Sequence, residues 1–118
     1  MKSILVSFAA MLALVGVSFA AQNNNTYAGE IMDSACAVSG SHEAMMKHDP
    51  SIKTAKDCTN GCVAHGAKYV LFDSSTKTIY QLDDQKKPMQ FAGAKVTVTG
   101  TLDDSTKTIH VANIKTAS

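Results

Sequence analysis

The sequence predicts a mainly β domain: a small five-stranded barrel with a short helical, cysteine-containing insert after its first strand. Short runs rich in β-branched and aromatic residues recur along the chain, separated by Asp/Ser/Thr/Lys clusters typical of turns. The most regular run, Lys95-Val-Thr-Val-Thr-Gly-Thr-Leu102, alternates with a period of two, so that Val96, Val98 and Gly100 share one face. One segment, residues 35–66, breaks from this pattern and holds all three cysteines and three of the four histidines. A small domain of short strands must hide its sheet edges, and closing into a barrel does so.

The chain of 118 residues opens on Met1-Lys2-Ser3, followed by an apolar run from Ile4 to Phe19. Ser18-Phe19-Ala20 then offers small residues at the two positions a signal peptidase reads, which predicts an export signal over residues 1–20. The run is short for a bilayer span of about 20 residues, and Gln22-Asn-Asn-Asn25 rather than basic residues follow it. The expected location is therefore secreted or periplasmic, with no stable membrane insertion after cleavage. Residues 21–26 read as a flexible lead-in, and residues 27–116 as a single domain carrying the insert 35–66.

Lysine supplies all 11 basic residues, against 10 acidic ones. Loss of Lys2 with the signal leaves the remaining chain near neutrality. Arginine, the preferred residue for bidentate phosphate and base recognition, is absent. With no tryptophan and few aromatics there is also no stacking platform for single strands. These features argue against nucleic-acid binding.

The first strand is expected over Tyr27–Asp33, ending near Ser34. In the insert, Ser41 can cap a helix through His48, which Asp49-Pro50 stops. Thr54 or Asp57 can cap a second piece ending at Gly66, and Asn60-Gly61 within it predicts only one or two turns. Strands follow over Lys68–Phe72 and Thr78–Leu82, then a looser stretch containing Pro88, then strands over Lys95–Leu102 and Ile109–Ile114. Ile109, Val111 and Ile114 are expected inside, and His110 is expected to face solvent. The segments Asp73-Ser-Ser-Thr-Lys-Thr-Ile-Tyr80 and Asp103-Asp-Ser-Thr-Lys-Thr-Ile-His110 nearly repeat each other. Two hairpins with the same turn solution explain the repeat more simply than a duplicated binding loop, because turn geometry restricts residue choice.

Chemistry concentrates in the insert. In an oxidising compartment thiols normally pair, and three cannot all pair within one chain. On a helix, Cys58, Cys62 and His65 fall four and three residues apart, on one face. Cys36 leaves the first strand and can return to that face, and His42, Met45, Met46 and His48 lie between. Thiolate, imidazole and thioether suit zinc or copper(I), and Cys3His is a known tetrahedral zinc composition. The candidate metal ligands are therefore Cys36, Cys58, Cys62, His42 and His65. The alternative is a disulfide from Cys36 to Cys58 or Cys62, stapling the insert to the barrel and contributing about 2–4 kcal/mol. Met45 and Met46 on a short helix are expected to pack against the core. Asp83-Asp84 and Asp103-Asp104 lack the spaced acids and glycine of a calcium loop. No catalytic triad order, phosphate loop or carboxylate pair stands out.

The strands Tyr69-Val-Leu-Phe-Asp73, Val96 to Leu102 and Ile109 to Ile114 resemble those of small periplasmic OB-fold domains. Over nearly all of the chain beyond the signal, Gly29-Glu-Ile-Met-Asp-Ser-Ala-Cys36, Cys58-Thr-Asn-Gly-Cys62, Gly66-Ala-Lys-Tyr-Val-Leu71 and Val96 to Leu102 resemble an uncharacterised family of small secreted bacterial proteins. The resemblance implies an OB-like barrel and no activity. Cys-x3-Cys also occurs in copper-handling proteins. The binuclear copper motif is not matched, because His65 comes one residue early and no methionine follows it.

Two functions follow as expectations. One is a secreted or periplasmic non-enzymatic binding module holding zinc or copper through its Cys/His cluster. The other is a disulfide-stapled barrel that binds a protein or cell-envelope partner without a metal. A thiol-disulfide enzyme fits less well, since neither Cys-x2-Cys spacing nor alternating strands and helices are present.

Overall fold

The structure, a computed structural model, describes residues 24–117; the expected export signal lies outside the described residues. Five strands, β1 (Asn25–Asp33), β2 (Tyr69–Asp73), β3 (Thr78–Leu82), β4 (Lys95–Asp103) and β5 (Thr108–Thr116), close in the order β1-β2-β3-β5-β4. This is the expected mainly β architecture, five strands closing in a ring with a helical insert after the first. All neighbours are antiparallel except β3 and β5, whose short parallel contact pairs Gln81 with Thr108 and Leu82 with Ile109. β4 and β5 form the longest ladder, with a register shift at Thr99/Gly100. That shift explains why the buried residues of β5 change phase, from Ile109 to Ile114.

Three α-helices lie between β1 and β2: α1 (Ser34–Ser39), α2 (Glu43–His48) and α3 (Ala55–Ala64). The sequence separates two of them, whereas α1 emerges as a helix of its own. Asp33 caps it by accepting from Cys36 N at 2.8 Å, and Gly40 ends it in the left-handed region at φ 75°. α2 starts two residues after Ser41, whose Oγ accepts from Glu43 N at 2.9 Å, and it stops at Asp49 as expected. α3 is capped by Thr54, which accepts from Asp57 N at 3.1 Å. It runs for 10 residues, straight through Asn60-Gly61, which corrects the expected one or two turns. Tertiary structure supplies what propensity withholds: Tyr69 on β2 donates its phenol to Asn60 Oδ1 at 2.7 Å. Among the described residues no helix is long and apolar enough to cross a membrane.

The sheet wall separates two apolar clusters. Inside the barrel, Ile31, Tyr69, Leu71, Leu82, Val96, Val98, Ile109 and Ile114 pack together. Outside it, Met32, Val70 and Phe72 project from the other face of β1 and β2 and pack against Cys36, Ala37 and Cys58 of the insert. β2 thus buries four successive residues, Tyr69 to Phe72, because both of its faces are covered. Cys36, Ala37 and Cys58 thus lie in the layer between insert and wall, while Val63 further along α3 packs against the inner cluster.

The start of α3 is set against the barrel at Gly93. This residue has φ 73°, and a Cβ there would lie 2.5 Å from Lys56 N. Its N–H donates to Ile31 O at 2.8 Å, fixing the loop before β4 onto β1. That loop follows a 3-10 turn, Lys87–Phe91, with Pro88 in its first turn. Beside it, the Gln85 amide accepts from Tyr69 N at 2.8 Å and donates to Tyr69 O at 2.9 Å, satisfying the edge of β2.

The repeated segments close the β2–β3 and β4–β5 hairpins with one turn solution. Asp73 Oδ1 accepts from Ser75 N at 2.9 Å and Ser75 Oγ at 2.6 Å, and Asp103 Oδ1 from Ser105 N at 3.0 Å and Ser105 Oγ at 2.6 Å. Each turn ends on a left-handed lysine, Lys77 at φ 55° and Lys107 at φ 54°.

Candidate metal centre

Four side chains from four places along the chain converge in the layer between insert and barrel. Asp33 ends β1, Cys36 lies in the first turn of α1, His42 stands just ahead of α2, and Cys58 lies on α3. One ligand atom from each falls within 4.8 Å of the others. All four residues are buried: Asp33 and Cys58 are 0% exposed, Cys36 5% and His42 9%. Local structure accounts for each placement. The Asp33 cap holds the start of α1 so that Cys36 follows it by three residues. The αL turn at Gly40 sends the chain back over the sheet, which brings His42 inward. Thr54 and Gly93 seat α3 with Cys58 facing the wall.

The sulfurs of Cys36 and Cys58 lie 3.8 Å apart. A disulfide bond is about 2.04 Å long, and all three cysteines are free thiols in the structure. The expected Cys36 disulfide, to Cys58 or Cys62, is therefore not made. Three polar atoms of the cluster have no hydrogen-bond partner: Asp33 Oδ1 and both ring nitrogens of His42. His42 Nε2 does come within 3.3 Å of Glu30 Oε2, an ion-pair distance without hydrogen-bond alignment. Buried polar atoms normally find partners, since leaving one unmade costs about 1–3 kcal/mol. An orphaned carboxylate oxygen and an orphaned imidazole beside two thiols are the donor set a cation would satisfy.

Burial, reinforced by the charge of Asp33 and the contact with Cys58, pushes the Cys36 thiol well above the ordinary thiol range. The Cys62 thiol, one helical turn after Cys58, is pushed up to about 11, chiefly by burial and then by the charge of Asp33. Without a cation both thiols are protonated at neutral pH.

Cys62 is half buried and stands at the edge of the cluster. It also lines an adjoining cavity of 620 Å³ together with Met45, His48, Ile52, Gly61 and His65. His65 is exposed and forms the C-cap of α3 at φ −94° and ψ 11°, so the helical face shared by Cys58 and Cys62 does not carry it to the cluster. Of the five sequence candidates, Cys36, His42 and Cys58 are brought together, Cys62 adjoins them and His65 lies apart on the cavity wall. Met45 is half buried and packs against the outer apolar cluster. His110 is exposed and pairs with Asp83 through Nδ1 at 3.1 Å.

Asp33 is the member that sequence reasoning missed. At the end of a strand it reads as a turn residue. Its signal is the spacing Asp33-Ser-Ala-Cys36, which is also the spacing of a helix cap to the N–H it satisfies.

Comparison with curated proteins and with solved structures found no match. The cluster's four residues all precede residue 60, so the part of the chain that does find a relative is the end of α3 and the barrel from β2 to β5. Over residues 60–117 the chain matches a family model described as "Protein of unknown function (DUF5818)".

Proposed function

We propose that the protein is an exported, non-enzymatic binding module that holds a zinc ion between insert and barrel through Asp33, Cys36, His42 and Cys58. The observation that carries this reading is the 3.8 Å between the two sulfurs. Two thiolates at about 2.3 Å from a common tetrahedral ion lie about 3.8 Å apart. A linear dithiolate, as copper(I) favours, would hold them roughly 4.6 Å apart at the same bond length. The carboxylate of Asp33 also suits zinc better than copper(I), which prefers soft donors alone.

Four protein donors fill a tetrahedral shell and leave no open position for water or substrate, which is the composition of a holding site rather than a catalytic one. The raised thiols make poor nucleophiles at neutral pH, which weighs against thiol-disulfide chemistry. Export rests on the character of the first 20 residues.

Native mass spectrometry of protein purified from an oxidising compartment without chelator tests the reading. One zinc per chain, with no disulfide, supports it. A metal-free chain two hydrogens lighter than the full thiol mass overturns it.

A further inference from the structure

We propose that Cys62 is the exchange ligand of the buried cluster, and that the cavity beside it seats a small thiol-bearing carrier of the ion. This inference rests on the zinc reading above.

Cys62 follows Cys58 by four residues on α3, so the two sulfurs share a helical face. Its side chain packs against the buried cluster that contains Cys36 and Cys58. Cys58 is wholly buried, but Cys62 is half exposed and is the cysteine that lines the 620 Å³ cavity. A volume of several hundred cubic ångströms accommodates a small molecule. On the helix side of that cavity nothing lies within 4 Å of where a Gly61 Cβ would stand, so an incoming group can approach the α3 backbone beside Cys62.

A closed shell of buried donors releases its ion slowly unless a further donor enters as another leaves. Asp33 is the replaceable member, because a carboxylate is the hardest donor in the set. Its Oδ2 keeps the bond from Cys36 N at 2.8 Å, so the backbone does not have to move. In the exchange, the bond from the ion to the Asp33 oxygen breaks and a bond to the Cys62 sulfur forms. The Cys62 thiol proton passes to the released Asp33 carboxylate. Net charge is unchanged and no electrons move. The donor set becomes Cys36, Cys58, Cys62 and His42, a Cys3His composition that zinc accepts, now open to the cavity. Carrier thiolates then displace the three protein sulfurs and the His42 nitrogen one at a time, each sulfur taking a proton from water as it leaves, and the ion departs bound to the carrier.

The test compares the zinc-loaded wild type with Cys62→Ser and Gly61→Leu, reading equilibrium zinc content and the rate of zinc transfer to a chromophoric chelator at rising concentrations of free cysteine. Cys62→Ser is expected to keep one zinc per chain while its transfer slows at least tenfold and loses its dependence on cysteine. Gly61→Leu, which obstructs the cavity beside Cys62, is expected to keep the zinc and lose most of the cysteine-dependent rate. Transfer from Cys62→Ser at the wild-type rate overturns the exchange role while the zinc reading stands. Loss of zinc from Cys62→Ser also overturns it, making Cys62 a resident ligand. A wild type that holds no zinc removes both.

Discussion

Cys36 and Cys58 are 22 residues apart in the chain, yet their sulfurs stand 3.8 Å from each other across the junction of α1 and α3. They join the two helices at the layer where the insert meets the barrel. An ion held there would fasten the insert from both ends, because Asp33 and Cys36 belong to its start and Cys58 to its last helix.

Metal removal should therefore loosen the insert. A ligand that binds only the folded state stabilises it by about 2.7 kcal/mol at a hundredfold excess over its dissociation constant. Thermal unfolding of the wild type should shift down measurably on adding a strong chelator and recover with zinc. Cys58→Ser and Asp33→Asn should each bind zinc more weakly, with Cys58→Ser losing most of the chelator response. A Cys58→Ser protein that responds to chelator as the wild type does would place the ion elsewhere.

The metal-free protein should be sensitive to alkali. Burial raises the folded thiols of Cys36 and Cys62, the latter to about 11 from an ordinary 9.0. The unfolded chain releases these protons at lower pH than the folded chain does. Between the two values the folded state binds more protons, so stability is full below the unfolded value and falls as pH rises through the folded one. Chemical unfolding of metal-free protein from pH 8 to pH 11 should show this loss, reduced in Cys62→Ser. Zinc affinity should rise over the approach to that range, since binding displaces thiol protons. A flat profile for the metal-free wild type would contradict the burial of these thiols.

Much of the barrel is legible because its strands are half-buried and alternate, as Val96, Val98 and Gly100 do. The insert is less so. Asn60-Gly61 reads as a break, but the Tyr69 phenol reaches Asn60 from another element, and no local pattern announces that bond. The unbroken apolar run Tyr69 to Phe72 is the sequence mark of a strand covered on both faces. It implies a layer outside the barrel, where the cysteines in fact sit. Cys36, His42 and Cys58 are visible by residue type and Asp33 is not, because an aspartate at a strand end is ordinary. Only the cap it makes on Cys36 N gives it a fixed place in the cluster.

Barrel closure should depend on Asp83. The parallel contact of β3 and β5 is short, and the Asp83 carboxylate extends it by accepting from Val111 N at 2.9 Å and contacting His110 Nδ1 at 3.1 Å. The bond from the Val111 N–H, then that from His110, hold its pKa below the ordinary carboxylate value. A depressed folded value means that this stabilisation is present above the unfolded pKa of about 3.9 and is lost as pH falls through the folded one. Asp83→Ala should cost about 1 kcal/mol at pH 7 and respond less to acid than the wild type does. Equal losses for both proteins between pH 5 and pH 2 would remove Asp83 from the account.

The paired turns offer the opposite prediction, a gain. Lys77 and Lys107 hold left-handed backbone at φ 55° and 54°, where a side chain with a Cβ is strained. Asparagine tolerates that region and glycine adopts it freely, although glycine gives back part of the gain through the entropy of the unfolded chain. Lys77→Gly and Lys107→Gly should each stabilise by about 0.5 kcal/mol, and the asparagine variants by a few tenths. The sites should add. Lys107 O accepts from Gln81 N at 2.8 Å, and Gln81 lies four residues along β3 from Lys77, about 13 Å at strand spacing. Urea unfolding of the double glycine variant should thus show about 1 kcal/mol of added stability with an unchanged slope. A double variant no more stable than the wild type would mean that the lysine side chains contribute at these turns what their backbone costs.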